Sequence, residues 1–318
     1  MKFNYIITIH NKEWMLERVL SGILSCEPGD RTIYAVLDGC SDNSEAVVDK
    51  VAQDYAKAKI VKVKTPDVHE LLSINAGLKT ANQDGEGFNI ILQDDVVLAD
   101  KQLELKIAKL YEQMGPKLGY VSLRMGANLI EDAANDTSPI PLKDFVENAY
   151  GHGIGKEPLY PGQFSFRDVP IKSPVCIPFK LIREIGMLDA RLAPYAHDDT
   201  DYAIRCLIAG YRNGVYAIKF FSDVKWGGTR LSAHPEIGRI QKRNIKYIRE
   251  WHRAYLESKK ASPVTDHITI VPYKAEEALE AKAAWAKAQQ ALIEEEKKHT
   301  GIVSTAKKLL GNILGKTN

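Results

Sequence analysis

Two pairs of adjacent aspartates are the residues best suited to do chemistry in this sequence. Asp94-Asp95 follows a short apolar run, and Asp198-Asp199 precedes a helical pattern. Carboxylates bind hard divalent cations, which keep coordination sites open for phosphate oxygens. A carboxylate can also accept the proton of a hydroxyl nucleophile. The alternative is structural, because acidic residues also cap helices and favour the positive end of the helix dipole.

The elements that would position these residues alternate between strand and helix from residue 3 to about residue 121. Such alternation predicts a parallel sheet covered by helices on both faces, whose ligands bind at the carboxyl ends of the strands. Polar residues stand at three of those ends: His10-Asn11, Asp38 and Asp94-Asp95. The predicted strands are Phe3–Ile9, Thr32–Leu37, Ile60–Val63, Phe88–Leu92 and Gly119–Leu123, and the predicted helices between them are Lys12–Ser25, Ser44–Tyr55, Val68–Thr80 and Lys101–Met114.

The pattern changes after this region. Residues 125–169 are rich in Gly, Pro, Asn and Asp, which predicts a long irregular segment. Regular signals return with helices at Phe179–Ile185 and Thr200–Ala209 and a strand at Gly214–Phe220. We therefore divide the chain into a main domain (residues 1–232), a helical extension and connector (233–272, with a helix near Pro235–Ser258) and C-terminal helices (273–318).

Composition limits the classes of function. The 318 residues carry 43 Lys and Arg against 41 Asp and Glu, a net charge of +2, so no global field attracts nucleic acid. The four cysteines show no C-x-x-C spacing, and the N-terminus lacks the pattern of a signal peptide. These features predict a cytoplasmic protein in a reducing compartment, at most peripheral on a membrane face.

Several stretches resemble the family-two, GT-A fold glycosyltransferases. They are residues 7–11, 36–44, 75–78 and 88–97, and above all the block from Ile185 to Tyr211, which is similar to the family's "GxxD(E/A)RF…EDxDLxxRxxxAGY" segment. The resemblance covers roughly residues 3 to 230. It implies an α/β, GT-A (Rossmann-like), mostly parallel sheet flanked by helices, with the C-terminal helices as an appendage.

The resemblance also implies roles for individual residues. His10, Asn11 and Asp38 would hold the nucleoside of a nucleotide-sugar donor, and Asn75 would line the donor pocket. Asp94-Asp95 would bind the donor diphosphate, Asp95 through a metal. Asp198-Asp199 matches the family's "ED" pair, with Asp199 as the base toward a hydroxyl acceptor and Asp198 in support. A single displacement of this kind inverts the anomeric carbon.

Two positions depart from the family pattern. The first Asp of its D-x-D motif is Gln93 here, and Lys225 stands where some relatives have a metal-ligating His. Gln is a weaker ligand than a carboxylate, and a protonated lysine cannot ligate a metal. We therefore expect a loosely held Mn²⁺ or Mg²⁺ on Asp95, with Lys225 or Arg230 supplying positive charge at the diphosphate. The alternative is that both cations are surface residues and that His234 or a water completes the metal shell.

The sequence thus predicts an inverting glycosyltransferase that acts on a glycan or lipid-linked glycan. A catalytically impaired domain that binds a nucleotide-sugar or glycan remains the alternative, favoured by Gln93 and Lys225. A nucleotidyltransferase ranks last, because no Gly-rich phosphate loop follows the first strand. In the C-terminal helices, the apolar stripe of residues 302–314 with its nearby lysines predicts either contact with an anionic membrane surface or self-association.

Overall fold

The structure is a computed structural model that divides into two compact units, Met1–Tyr273 and Lys274–Asn318. The predicted amphipathic stripe at residues 302–314 lies outside the described residues, and the predicted helix before it is described as helical at residues 276–277, 279–284, 286–287 and 290. The structure describes residues 1–26, 30–55, 58–138, 141–151, 158–223, 225–227, 236–272, 274, 276–277, 279–284, 286–287 and 290.

Strands and helices largely alternate as far as residue 122 of the first unit, and several strands then follow one another before the next helix. The helices are α1 (Glu13–Leu24), α2 (Ser44–Asp54), α3 (His69–Thr80), α4 (Leu103–Met114), α5 (Phe179–Ile185), α6 (Asp198–Ile208), α7 (Ile237–Trp251) and α8 (Arg253–Ser258). The strands are β1 (Lys2–Ile9), β2 (Asp30–Asp38), β3 (Lys59–Thr65), β4 (Gly87–Gln93), β5 (Val97–Leu98), β6 (Leu118–Ser122), β7 (Met125–Leu129), β8 (Leu142–Asn148), β9 (Pro158–Leu159), β10 (Gln163–Phe166), β11 (Val169–Ile171), β12 (Val175–Pro178), β13 (Arg212–Tyr216), β14 (Phe220–Phe221) and β15 (Ile268–Thr269).

A nine-stranded sheet in the order β15-β10-β13-β6-β12-β4-β1-β2-β3 forms the centre of the first unit. Its block β4-β1-β2-β3 is parallel, and β1 is buried along nearly its whole length between β4 and β2. In this register Thr8 pairs with Gln93 and Ile9 pairs with Leu37. The carboxyl ends of β1, β2 and β4 therefore meet at one edge, as the alternating pattern predicts.

The rest of the sheet is less regular than a simple alternation suggests. Strand β12 runs antiparallel to both β4 and β6, and β10 is antiparallel to β13. The sheet is therefore mixed, with its parallel part at the site. The mixed α/β architecture, a large sheet flanked by helices, agrees with the fold class expected from the sequence.

The prediction of an irregular segment at residues 125–169 is wrong where this segment forms strands. Strands β7, β8 and β9 fall within it and form a second, four-stranded sheet with β11. These strands have two to seven residues and find their partners far along the chain. Strands this short are stabilised by long-range pairing, which local alternation of residue types does not reveal.

The predicted extension after residue 233 lies in the same compact unit as the sheet. Its single predicted helix is two helices, α7 and α8, and α7 buries Ile248 in a core cluster that also contains residues of α3 and α6. Strand β15 forms one edge of the nine-stranded sheet by pairing with β10. In the described part of the chain, no helix combines the length and apolar character that crossing a membrane requires.

Gly77 on α3 provides a test of this packing. A Cβ at this position would lie 2.5 Å from Ile6 Cγ2 and 3.0 Å from Val36 Cγ2, so the helix can approach β1 and β2 closely only with glycine. We expect Gly77→Ala to lower the free energy of unfolding by about 1–3 kcal/mol in urea denaturation. The matched control is Gly238→Ala on α7, where a Cβ meets open space and alanine favours the helix by up to about 1 kcal/mol. Equal effects at both positions would contradict this account.

Candidate active site

A cavity of about 330 Å³ lies at the carboxyl edge of the parallel strands. This volume is within the usual range for small-molecule sites. The ends of β1, β2 and β4 line one side, and the segment that leads into α6 lines the other. Six of the predicted donor-binding and catalytic residues line this one cavity, namely His10, Asp38, Asp94, Asp95, Asp198 and Asp199, and Gln93 lines it as well.

The ends of β1 and β2 form a hydrogen-bonded corner of the cavity. The ring Nδ1 of His10 lies 2.7 Å from the carbonyl oxygen of Asp38. One carboxylate oxygen of Asp38 accepts hydrogen bonds from the hydroxyl of Thr65 and the backbone N–H of Val68, at 3.0 and 2.8 Å. Asp38 is therefore fixed against β3 and the start of α3, and it still borders the cavity.

Asp94 is the more buried carboxylate of its pair. The backbone N–H of His10 donates to it at 2.9 Å, and the buried ammonium of Lys12 lies 3.6 Å away. Burial nevertheless raises the pKa of Asp94 to about 7, with Lys12 opposing the rise. Lys12 also donates to the carbonyl oxygen of Trp226 at 2.6 Å. Lys12 was not among the residues predicted from the sequence, although it directly follows His10-Asn11.

Asp95 has the free oxygen that a metal ligand needs. Its Oδ1 is buried and makes no hydrogen bond within the described chain. The side chain of Gln93 is hydrogen-bonded within the protein, because its amide donates to the carboxylate of Glu70 at 2.8 Å. Among the described residues, no group of three or more His, Cys, Asp or Glu side chains forms a metal site by itself. Asp95 thus fits a cation that takes most of its ligands from water and phosphate oxygens, as Mg²⁺ commonly does.

The second acidic pair begins α6. Asp198 and Asp199 occupy its first turn, where the helix dipole favours negative charge. Asp199 accepts hydrogen bonds from the backbone N–H groups of Thr200, at 2.8 Å, and Lys172, at 3.4 Å. Burial and the neighbouring Asp198 raise the pKa of Asp199 to about 6, and Lys172 opposes this rise. Asp199 is therefore mostly ionised at neutral pH and can accept a proton.

The backbone leading into this helix is held in an unusual conformation. Ala196 and His197 both have positive φ angles, 81° and 63°, a conformation that costs energy outside glycine. Asn244 of α7 is fully buried, and its amide nitrogen lies 2.8 Å from the carbonyl oxygens of Leu192 and Ala196. These contacts hold the turn that aims the acidic pair into the cavity. The sequence contains no local signal for this role of Asn244.

Two further charged residues line the cavity and were not predicted. Lys172 follows β11, and its ammonium lies 2.6 Å from Asp198 and 3.2 Å from Glu70 of α3. Neither residue belongs to a recognisable motif. They meet only because β11 and α3 approach the start of α6 in the folded chain.

Three of the residues predicted to bind the donor, Asn11, Asn75 and Lys225, do not line the cavity. Asn11 accepts from the backbone N–H of Ser41 at 2.8 Å, so it braces the loop after β2. Lys225 is exposed, and its backbone N–H donates to Asp223. Asn75 hydrogen-bonds to the backbone of Leu188. Arg230, like the alternative ligand His234, lies outside the described residues.

The architecture and the position of the cavity define a GT-A fold. Residues 5–116 match the model of glycosyl transferase family 2, about a third of the chain, which confirms the resemblance drawn from the sequence. No curated protein gives a significant match over the sequence.

Two solved structures are similar to this fold. One is the mannosyltransferase PcManGT from Pyrobaculum calidifontis in complex with GDP-Man and Mn²⁺, with 14% identity, a TM-score of 0.50, and coverage of 82% of this chain and 66% of that chain. The other is S. aureus TarS 1-349 in complex with UDP-GlcNAc, with 15% identity, a TM-score of 0.50, and coverage of 78% and 66%. This chain therefore spans about two thirds of each. At these identities the likeness shows the fold alone.

The contacts of Asn75 support a structural test. Its side chain donates to the carbonyl oxygen of Leu188 at 2.8 Å and accepts from the N–H of Leu188 at 3.2 Å, which joins α3 to the segment before α6. We expect Asn75→Ala to lower the free energy of unfolding by about 1–3 kcal/mol, because two backbone groups lose their partner. The control is Asn43→Ala, at an exposed position without a side-chain cap hydrogen bond, which should change stability by less than about 0.5 kcal/mol. An Asn75→Ala protein as stable as the control variant would contradict the structural role.

Proposed function

We propose that this chain is a glycosyltransferase that moves one sugar from a nucleotide-sugar donor to a hydroxyl acceptor, with inversion at the anomeric carbon. The observation that carries the proposal is the meeting of two acidic pairs, Asp94-Asp95 and Asp198-Asp199, in one cavity of suitable size. Transfer of this kind needs charge stabilisation at the leaving diphosphate and a base at the acceptor. The match to the family model over residues 5–116 supports the same proposal.

In the proposed complex the donor occupies the side of the cavity formed by the strand ends. His10 and Asp38 border the position of the nucleoside, where a carboxylate can accept hydrogen bonds from ribose hydroxyls or base N–H groups. Asp94 supports this side indirectly, because it fixes the backbone of His10 and pairs with Lys12. Asp95 faces the diphosphate and would hold the divalent cation.

The transfer itself is a single displacement. The acceptor oxygen forms a bond to the anomeric carbon while the bond between that carbon and the diphosphate oxygen breaks. Asp199 takes the proton of the acceptor hydroxyl, and the electron pair of the broken bond leaves with the diphosphate. Asp199 suits this role because it is ionised at neutral pH with a raised pKa, which makes it a stronger base than an exposed aspartate.

A cation on Asp95 would offset the negative charge that develops on the departing diphosphate. Lys225 is poorly placed to provide this charge, since it is exposed and absent from the cavity wall. Lys12 is a buried cation just after the end of β1, but it pairs with Asp94 and does not line the cavity. We therefore assign the diphosphate to a metal on Asp95 rather than to a lysine. The acceptor we propose is a hydroxyl of a glycan or lipid-linked glycan.

A binding module without turnover is the second candidate. It is favoured by Gln93, because this position offers an amide where the family motif offers a carboxylate. The enzyme and a nucleotide-sugar-binding module both predict that a nucleotide-sugar stabilises the folded chain, a glycan-binding module does not, and only the enzyme predicts transfer.

A screen with Asp199→Asn separates the two candidates. Nucleotide-sugars are first tested for a rise in melting temperature, since a ligand that binds only the folded state must raise it. With the best donor, we expect Asp199→Asn to keep the rise in melting temperature and to lose about 10²–10⁴ in turnover, because the acceptor proton has no base. Asp54→Asn at an exposed position of α2 is the matched control and should retain full turnover. Undiminished transfer by Asp199→Asn would refute Asp199 as the base, and stabilisation without transfer in the wild type would favour the binding module.

Removal of metal tests the role of Asp95. We expect EDTA to abolish turnover and added Mn²⁺ or Mg²⁺ to restore it, with Asp95→Asn requiring more cation for half-maximal rate than the wild type. Lys225→Ala should behave like the wild type, because its side chain is exposed away from the cavity wall. Full turnover in EDTA would contradict this assignment and would show that cationic side chains, rather than a metal, stabilise the leaving diphosphate.

A further inference from the structure

Lys172 is a cation between acidic groups in the wall of the cavity. Its side chain is only 10% exposed, and its ammonium forms ion pairs with Asp198 at 2.6 Å and with Glu70 at 3.2 Å. The carboxylate of Asp198 is fully buried. Lys172 also reaches the other member of the acidic pair, through its backbone N–H and Asp199 Oδ2 at 3.4 Å. One residue thus contacts both candidate catalytic carboxylates.

Glu70 fixes the direction in which Lys172 points. The same oxygen of Glu70, Oε1, faces the ammonium of Lys172 and accepts the amide N–H of Gln93 at 2.8 Å. The contacts therefore run without interruption from Gln93 at the end of β4, through Glu70 on α3 and Lys172 after β11, to Asp198 on α6. We call these four residues the crossing network.

The crossing network gives a reason for glutamine at position 93. An aspartate here would place a second carboxylate beside Glu70, and the two like charges would repel each other in a partly buried site. The amide of Gln93 donates a hydrogen bond instead, which leaves the charge of Glu70 to Lys172. Gln93 thus contacts Glu70 without adding a second negative charge beside it.

The charges around Asp199 determine how easily it takes a proton. Asp198 on the same helix and burial both favour the protonated form, whereas Lys172 favours the carboxylate. The charge of Glu70 weakens the effect of Lys172, which it faces from α3. The titratable groups that face the pair from the surrounding elements are Lys172 after β11, Glu70 of α3, Tyr120 of β6 and His197 before α6.

We propose that Lys172, oriented by Glu70 and Gln93, is a positioning residue that keeps Asp199 ionised and aimed at the acceptor hydroxyl. This inference rests on the proposed glycosyltransferase function. It assigns no contact of Lys172 with the reacting atoms, since its ammonium is occupied by Asp198 and Glu70. Lys172 instead acts through the acidic pair.

The inference makes opposite predictions for two charge changes. Lys172→Met removes the positive charge with little change in length, so the acid limb of the pH–rate profile should move to higher pH by about one unit or more. Glu70→Gln removes the negative charge that competes for Lys172, so the limb should move to lower pH. Lys172→Arg keeps the charge and should leave the limb within about 0.3 unit of the wild type. Because Asp198 and Asp199 interact, each limb reports the pair.

The experiment compares the pH–rate profiles of the wild type and the three variants, each as the full chain. Opposite displacements of the acid limb support the inference. A uniform loss of rate with an unmoved limb in both Lys172→Met and Glu70→Gln would overturn it, because a purely structural role predicts that result. If Lys172→Met does not fold, the direction of the Glu70→Gln displacement decides.

A second measurement does not depend on turnover. Carboxyl ¹³C NMR of the full chain follows the titration of the aspartates, and Asp199 is assigned by the signal that disappears in Asp199→Asn. The midpoint should rise in Lys172→Met and fall in Glu70→Gln. These shifts without any transfer would refute the proposed function and leave the electrostatic role standing. Transfer with unchanged midpoints would refute the role of Lys172 and leave the function standing.

Discussion

The main constraint on the structure around the cavity is that several carboxylates lie close together and are largely shielded from water. Asp94, Asp198 and Asp199 are each at most 9% exposed, and the remaining acidic residues of the wall lie close by. Burial and the neighbouring aspartate both raise the pKa of Asp94 and that of Asp199. Lys12 and Lys172 offset this cost, and the first turn of α6 adds favourable backbone dipoles. Without these lysines, the pKa values of Asp94 and Asp199 would rise further.

The two lysines serve different sides of the cavity. Lys12 pairs with Asp94 and stabilises the loop after β1, where the donor is proposed to bind. Lys172 pairs with Asp198 at the proposed acceptor side. Lys172 also favours the charged form of Asp199, the neighbour of Asp198 on α6. Glu70 and Gln93 connect the two sides, because Glu70 contacts both Gln93 at the end of β4 and Lys172.

The sequence predicted the part of the site that strand ends create. Parallel strands with regular alternation have carboxyl ends at a common edge, so the residue pattern alone places His10, Asp38 and Asp94-Asp95 together. The motif around Asp198-Asp199 supplied the other side. Lys172 could not be found in this way, because it lies between two short strands, β11 and β12, whose positions depend on pairing with β7, β4 and β6. For the same reason, the four-stranded second sheet could not be predicted from local residue patterns.

The departure at Gln93 illustrates a further limit of sequence interpretation. In the sequence, Gln93 replaces a metal-binding aspartate of the family motif. This replacement suggests that Lys225 supplies the positive charge that a tightly bound metal would otherwise provide. In the folded chain, Gln93 donates to Glu70, a residue on a different element, and Lys225 lies exposed. A replacement within a motif therefore has to be judged against the residue that it contacts across the cavity. Here the contact is the carboxylate of Glu70, to which the amide of Gln93 can donate a hydrogen bond, whereas a second carboxylate would repel it.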